Sequence, residues 1–234
     1  MFVFFLASFV QSLTGFGFAI ISIPVLTIFL PVKHAIPLGA LCGFIVNFAL
    51  FIEFRKNIKF SELKEIFLGA IIGVPLGVFF LAKASPEIIK ISLGIILLTF
   101  VIYKTLIKIN STKVNSKYAY ISGFFSGLLG GAFNTSGPPV IIYFAMNDYD
   151  KVFKKAQITG YFIVLSFFIV SIHFFTGLTT KNVFWDFVKS IPVVIMGIII
   201  GSFFFTRIRT EIYDKIILII LFLLSIYLIL SNIK

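Results

Sequence analysis

The residues with the means to do chemistry are few, and most of them are neutral. Asn134, Thr135 and Ser136 form the densest neutral polar run within an apolar stretch, and Thr14 and Ser22 bracket a similar interruption near the N-terminus. Such amides and hydroxyls, joined by the N–H groups that open a helix, make a neutral receptor for an anion. The competing explanation is a helix break that caps itself. Asn47 sits well inside another apolar stretch, where its amide either hydrogen-bonds a neighbouring helix or meets a ligand. Gln11 and Gln157 pose the same choice.

Acid–base chemistry has little to work with. Glu53, Glu62, Glu65, Glu87, Asp148, Asp150, Asp186, Glu211 and Asp214 all flank apolar stretches, so no carboxylate pair is buried in one. His34 falls between stretches and His173 near the end of one, which makes both interfacial. Cys42 is the single cysteine, so neither an intrachain disulfide nor a thiolate cluster can form. With no P-loop or GxSxG motif, no metal set and no nucleophile beside a base, the chain reads as a non-enzyme without a cofactor.

The elements that hold these residues follow from composition. Of 234 residues 59% are hydrophobic and 12% charged, with 32 Phe, whereas an ordinary soluble domain is about 25% charged. The chain is therefore a multi-pass membrane protein of one transmembrane domain, 1–234. Charge-free gaps run over 1–32, 34–52, 66–82, 91–103, 118–147, 156–180, 190–206 and 216–233. The opening MFVFFLASFV lacks a basic leader and is read as part of the fold. The net charge of +11 sits between apolar stretches, so it marks topology and lipid contact rather than nucleic acid.

One gap of 30 or more residues followed by three shorter ones occurs twice, which divides the chain into repeats 1–107 and 118–234 around a polar linker, 108–117. Leu13 and Gly15 fall on Leu128 and Gly130, Pro24 on Pro139, Gly43 on Gly160, and Gly73 and Gly77 on Gly197 and Gly201. At about 1.5 Å per residue, 30 helical residues overrun a bilayer core, so each leading segment must tilt, break or re-enter. Breaks are expected at Thr14-Gly15-Phe16-Gly17 and at Gly130 through Pro139, with new half-helices starting near Ser22 and near Ser136. Non-helical backbone at membrane depth implies a cavity, and paired Gly/Pro interruptions in two halves point to a transporter's site.

If both leading segments exit on the side they enter, 14 Lys and Arg gather on one face and 6 on the other. The richer face is then cytoplasmic, both termini lie opposite, the repeats are inverted, and the breaks meet near the bilayer midplane. Gly69, Gly73 and Gly77, like Gly197 and Gly201, recur at intervals of four and form faces for close helix packing.

The Gly-rich, Pro-terminated segment that leads each half, at 11–24 and 122–139, resembles that of the TauE/SafE sulfite exporter family. The resemblance implies an exporter in a prokaryotic inner membrane for sulfite or a related sulfur-containing or organic anion. It places the anion path at Gly15, Gly17 and Ser22 of the first half and Gly130, Asn134, Thr135, Ser136 and Gly137 of the second; the residues themselves add Thr14 and Asn47 as further substrate-binding candidates. Phe16 and Phe18 depart from a more Gly-rich form. The alternative function is a non-transporting membrane scaffold or assembly factor. Partners are the small anion and lipid, and a homo-oligomer is admitted as well as a monomer.

Overall fold

A computed structural model describes residues 1–106, 115–147, 149–204 and 210–232. Most of the proposed linker lies outside these residues, as do Lys108, Lys113, Asp148, Arg207, Arg209 and Lys234; of Lys151, Glu211, Asp214 and Lys215 only the backbone is described. The described residues are mostly helical, without strands: α1 (Phe2–Thr14), α2 (Phe18–Phe29), α3 (Val32–Phe54), α4 (Lys64–Lys83), α5 (Pro86–Leu106), α6 (Lys117–Phe133), α7 (Gly137–Met146), α8 (Lys151–Phe175), α9 (Lys181–Phe204) and α10 (Thr210–Leu230). Five of them are long and apolar enough to cross a membrane. Each of the two longest gaps is a pair of short helices, α1–α2 and α6–α7. Large apolar side chains such as Phe79, Trp185, Ile199 and Phe203 face outward, as a lipid-solvated surface requires.

Both short pairs are hairpins. Met1 touches Ser190, one turn beyond the Asp186 that holds His34 at the start of α3, while Gln11 meets Asn47 far along α3. Hence α1 runs beside α3 in the same sense. Helix α2 runs the other way, because Phe18 packs at Gly43 and Ile23 at Gly39. The reversal needs a left-handed backbone at Gly15 (φ 85°) and Gly17 (φ 112°), which a residue lacking Cβ adopts freely.

The second hairpin enters from the opposite end of the bundle. Lys33 at the start of α3 donates to the Ala82 carbonyl at the end of α4, so α3 and α4 are antiparallel. Helix α6 runs alongside α4 in the same sense, Gly69 meeting Tyr120 and Gly77 meeting Leu128.

Glycine sets the closeness of these pairs. Gly69, Gly73 and Gly77 on α4 press against the α6 backbone, and Gly123, Gly127 and Gly131 on α6 press back against α4. The partner contact of α1 is with α9, where a Cβ on Gly201 would fall 2.6 Å from the Phe9 carbonyl oxygen and 2.8 Å from Ser12 Cβ. The packing faces expected from sequence are thus in use. Backbones this close gain dispersion contacts that lipid cannot match.

The register of the leading segments differs from the sequence match. Asn134, at φ 56°, ends α6 as Gly15 ends α1, so Gly15 takes the place of Asn134 and not of Gly130. A shift of 119 residues also lays Gly17 on Ser136 as N-cap and Val32 on Lys151 at the start of a long helix. Under that shift Gly43 falls on Phe162 and not on Gly160. The match of Gly73 and Gly77 with Gly197 and Gly201 agrees with it, since Phe9 then corresponds to Leu128. The 119-residue shift and the sequence match of the leading segments differ by four residues, one helical turn and the spacing of the glycines on α6.

Candidate functional site

The two hairpin tips meet inside the bundle. Gly137 lies beside the Phe16 ring, and the Asn134 amide nitrogen lies beside Gly43. Between them is a cavity of about 40 Å³, lined by Gln11, Gly17, Phe18 and Ala19 of the first hairpin and Asn134, Thr135, Ser136 and Gly137 of the second. Helix α3 adds Gly43 and Asn47, and α8 adds Phe162, Ser166 and Ile169. A single water needs about 10–15 Å³ by the same kind of measure, so the space suits a few waters or one small polyatomic ion.

Polar groups approach it from each wall. Gln11 spans the first break: its Oε1 accepts the Phe18 N–H at 3.0 Å, and its Nε2 donates to Asn47 Oδ1 at 2.6 Å. That leaves the Asn47 amide N–H groups for the cavity. The first bond internal to α2 is donated by Ile21 to Gly17, so the Ala19 and Ile20 N–H groups have no acceptor within the helix. Both residues line the cavity. The Asn134 carboxamide also lines it, with no protein hydrogen bond among the described residues. Among the described residues no charged side chain does so.

The second hairpin offers less backbone than its sequence suggests. Pro138 and Pro139 occupy the first turn of α7 and carry no N–H. The Ser136 carbonyl is held by Ser126 Oγ at 2.6 Å, and Ser126 in turn receives the Tyr161 hydroxyl at 2.9 Å. Thr135 is buried and its hydroxyl donates to the Phe133 carbonyl at 3.0 Å. Its oxygen stays near the cavity while its proton serves the turn.

Of the residues singled out from sequence, Gly17, Asn47, Asn134, Thr135, Ser136 and Gly137 are brought to this one cavity. Thr14 faces the other side of the break, where its hydroxyl bonds the Val10 and Phe16 carbonyls at 3.0 and 2.5 Å. Gly15 packs against the Lys155 stem, and Gly130 against Ile169 and Ser136; neither lines the cavity. Ser22 does not start a half-helix. Helix α2 begins at Phe18, with Gly17 as its N-cap, and Ser22 is buried within it, as is Pro24. The glycine pair turned the chain two residues after α1, so Pro24 was not needed to begin the helix.

His173 is enclosed rather than interfacial. It is 1% exposed, with Nε2 3.4 Å from the Gly131 carbonyl. Gln157 hydrogen-bonds the loop before α4, at Lys59 and Asn57, and takes no part in the cavity. Sequence reading missed Ser166, whose signal was available: 47 and 166 differ by the same 119 positions as the two breaks.

Helical hairpins entering from opposite ends, with tips meeting in a polar cavity inside an apolar bundle, define an all-α polytopic membrane protein with an internal site. The chain belongs to the family described as Sulfite exporter TauE/SafE, which it matches over residues 1–228. That is a family of membrane transporters. No curated protein and no solved structure matches the chain.

Proposed function

We propose that the protein is a permease that exports a small anion, sulfite or a related sulfur-containing or organic anion, across the prokaryotic inner membrane. The observation that carries this reading is the convergence of both hairpin tips on one uncharged cavity rich in donors: Asn134, Asn47 and the opening N–H groups of α2. The start of α2 adds about half a positive charge by its dipole, which counts for more in a low-dielectric interior than in water. A receptor without a fixed cation holds an anion and also lets it go.

The two halves act as inverted repeats. Reciprocal pairing supports this, since α1 lies on α9 as α6 lies on α4, and α3 on α8 as α5 on α10. Alternating access then follows from one half rocking against the other around the cavity. Of the basic side chains that are described, Arg55, Lys56, Lys59, Lys64, Lys104, Lys117, Lys154 and Lys155 lie at the end where α4 and α6 begin, against Lys33, Lys83, Lys90, Lys181 and Lys189 at the other, and the richer end is read as cytoplasmic. An inside-negative potential favours anion exit by about 2.3 kcal/mol per charge per 100 mV, so export runs without a coupling carboxylate.

The test is efflux of labelled sulfite, thiosulfate and a small organic sulfonate from liposomes holding the purified protein. Movement of at least one of them above empty liposomes is expected. Folded protein that passes none would favour the scaffold alternative.

A further inference from the structure

The polar cavity has a neighbour. A second cavity of about 50 Å³ lies across the first break, and Phe16, Gly17 and Ile20 line both. The Phe16 ring is therefore a wall between them. Among the described residues, apolar side chains of α1, α2, α5 and α10 make up most of the second cavity, with Thr14 and one charged side chain, Lys104. Lys104 Nζ lies 5.9 Å from the Phe16 ring centroid, in cation–π reach.

Phe16 sits between Gly15 and Gly17, both at positive φ, where a change of turn meets no Cβ clash, and the Thr14 hydroxyl that bonds its carbonyl latches the ring in its present place. Its counterpart across the 119-residue shift is Thr135, a residue too small to divide a cavity. The second hairpin has no such wall.

We infer that the second cavity is the loading vestibule of the permease, in which Lys104 receives the anion and Phe16 gates its passage to the polar cavity. This rests on the permease reading above. Before loading, the ammonium is held over the ring by the ring's negative face. An anion arriving at Nζ offsets that charge and weakens its hold on the ring, so arrival itself favours opening. Lys104 stands near the end of α5 at the basic end, the side from which an exporter must load.

The experiment measures the rate of labelled sulfite efflux from proteoliposomes against internal sulfite concentration, at low and high ionic strength. Lys104→Gln is expected to raise the half-saturating concentration about tenfold with the maximal rate kept. It should also abolish the rise in half-saturation that salt causes in the wild type, and Lys104→Arg should restore both. Phe16→Ala is expected to raise the maximal rate and admit bulkier sulfonates, whereas Phe16→Leu, which keeps apolar bulk, reports on folding. Lys104→Gln with wild-type half-saturation and wild-type salt dependence would overturn the vestibule while leaving the permease standing. Folded Phe16→Ala with unchanged rate and selectivity would overturn the gate. A wild type that moves no sulfite would overturn the permease reading, and this inference with it.

Discussion

Gln11 and Asn47, 36 residues apart, share a hydrogen bond of 2.6 Å that ties the first hairpin to α3 beside the cavity. Because Gln11 also receives the Phe18 N–H, one side chain fixes both the start of α2 and the direction of the Asn47 amide. Gln11→Leu strands the buried Phe18 N–H and the part-buried Asn47 amide oxygen. It should lower stability by about 1–3 kcal/mol, seen as an earlier melting transition in detergent. Asn47→Asp keeps an acceptor for Gln11 but puts negative charge at the cavity wall. It should lose anion efflux in protein that remains folded, melting somewhat earlier because the new charge has no partner; full efflux by Asn47→Asp would remove Asn47 from the site.

The α4–α6 contact predicts where bulk is forbidden. A Cβ on Gly127 would lie 2.7 Å from the Ala70 carbonyl oxygen and 2.9 Å from Ala70 Cα. Backbone cannot step aside as a side chain can, so Gly127→Ala should cost about 1–3 kcal/mol. Gly177 is the control: its φ of 73° suits Asn and nothing lies within 4 Å of its Cβ direction, so Gly177→Asn should melt with the wild type. Equal melting of both variants would contradict the close packing.

Orientation is tested in a Cys42→Ser background. Ser61, before α4, belongs to the basic end, and Ser231, after α10, to the opposite one. A membrane-impermeant thiol reagent applied to intact cells should label Ser231→Cys and reach Ser61→Cys only after the membrane is permeabilised. The reverse pattern would invert the topology and the direction of export.

Much of this architecture was legible in the sequence because its signals are physical and local. Charge gaps gave all eight segments, since burying a Lys or Glu in lipid is costly, and four-residue glycine spacing gave the packing faces. The break at Ser136 was readable from two prolines that fit only a helix start. The first break was readable at Gly15 and Gly17, but the helix after it was expected to start near Ser22 because Pro24 looked like the same signal, whereas α2 begins at Phe18. Whether a 30-residue segment reverses or continues depends on the partners of α2, Gly39 and Gly43 on α3, which no local pattern announces. The same holds for Gln11, whose bridging role exists only once Phe18 and Asn47 stand on either side of it.

The central claim is that an anion binds where the hairpin tips meet, and Asn134 tests it most directly. Its φ of 56° is open to glycine at no steric cost, so Asn134→Gly removes the carboxamide and keeps the turn. Losing one hydrogen bond to a charged group costs about 1.5–3 kcal/mol, or roughly ten- to a hundredfold in affinity. The measurement is the concentration of internal sulfite that half-saturates efflux from liposomes holding the wild type or Asn134→Gly, each checked for equal melting. The account predicts a rise of that size for the variant. Equal half-saturation and equal rates in the two proteins would show that the cavity between the hairpin tips is not where the anion binds.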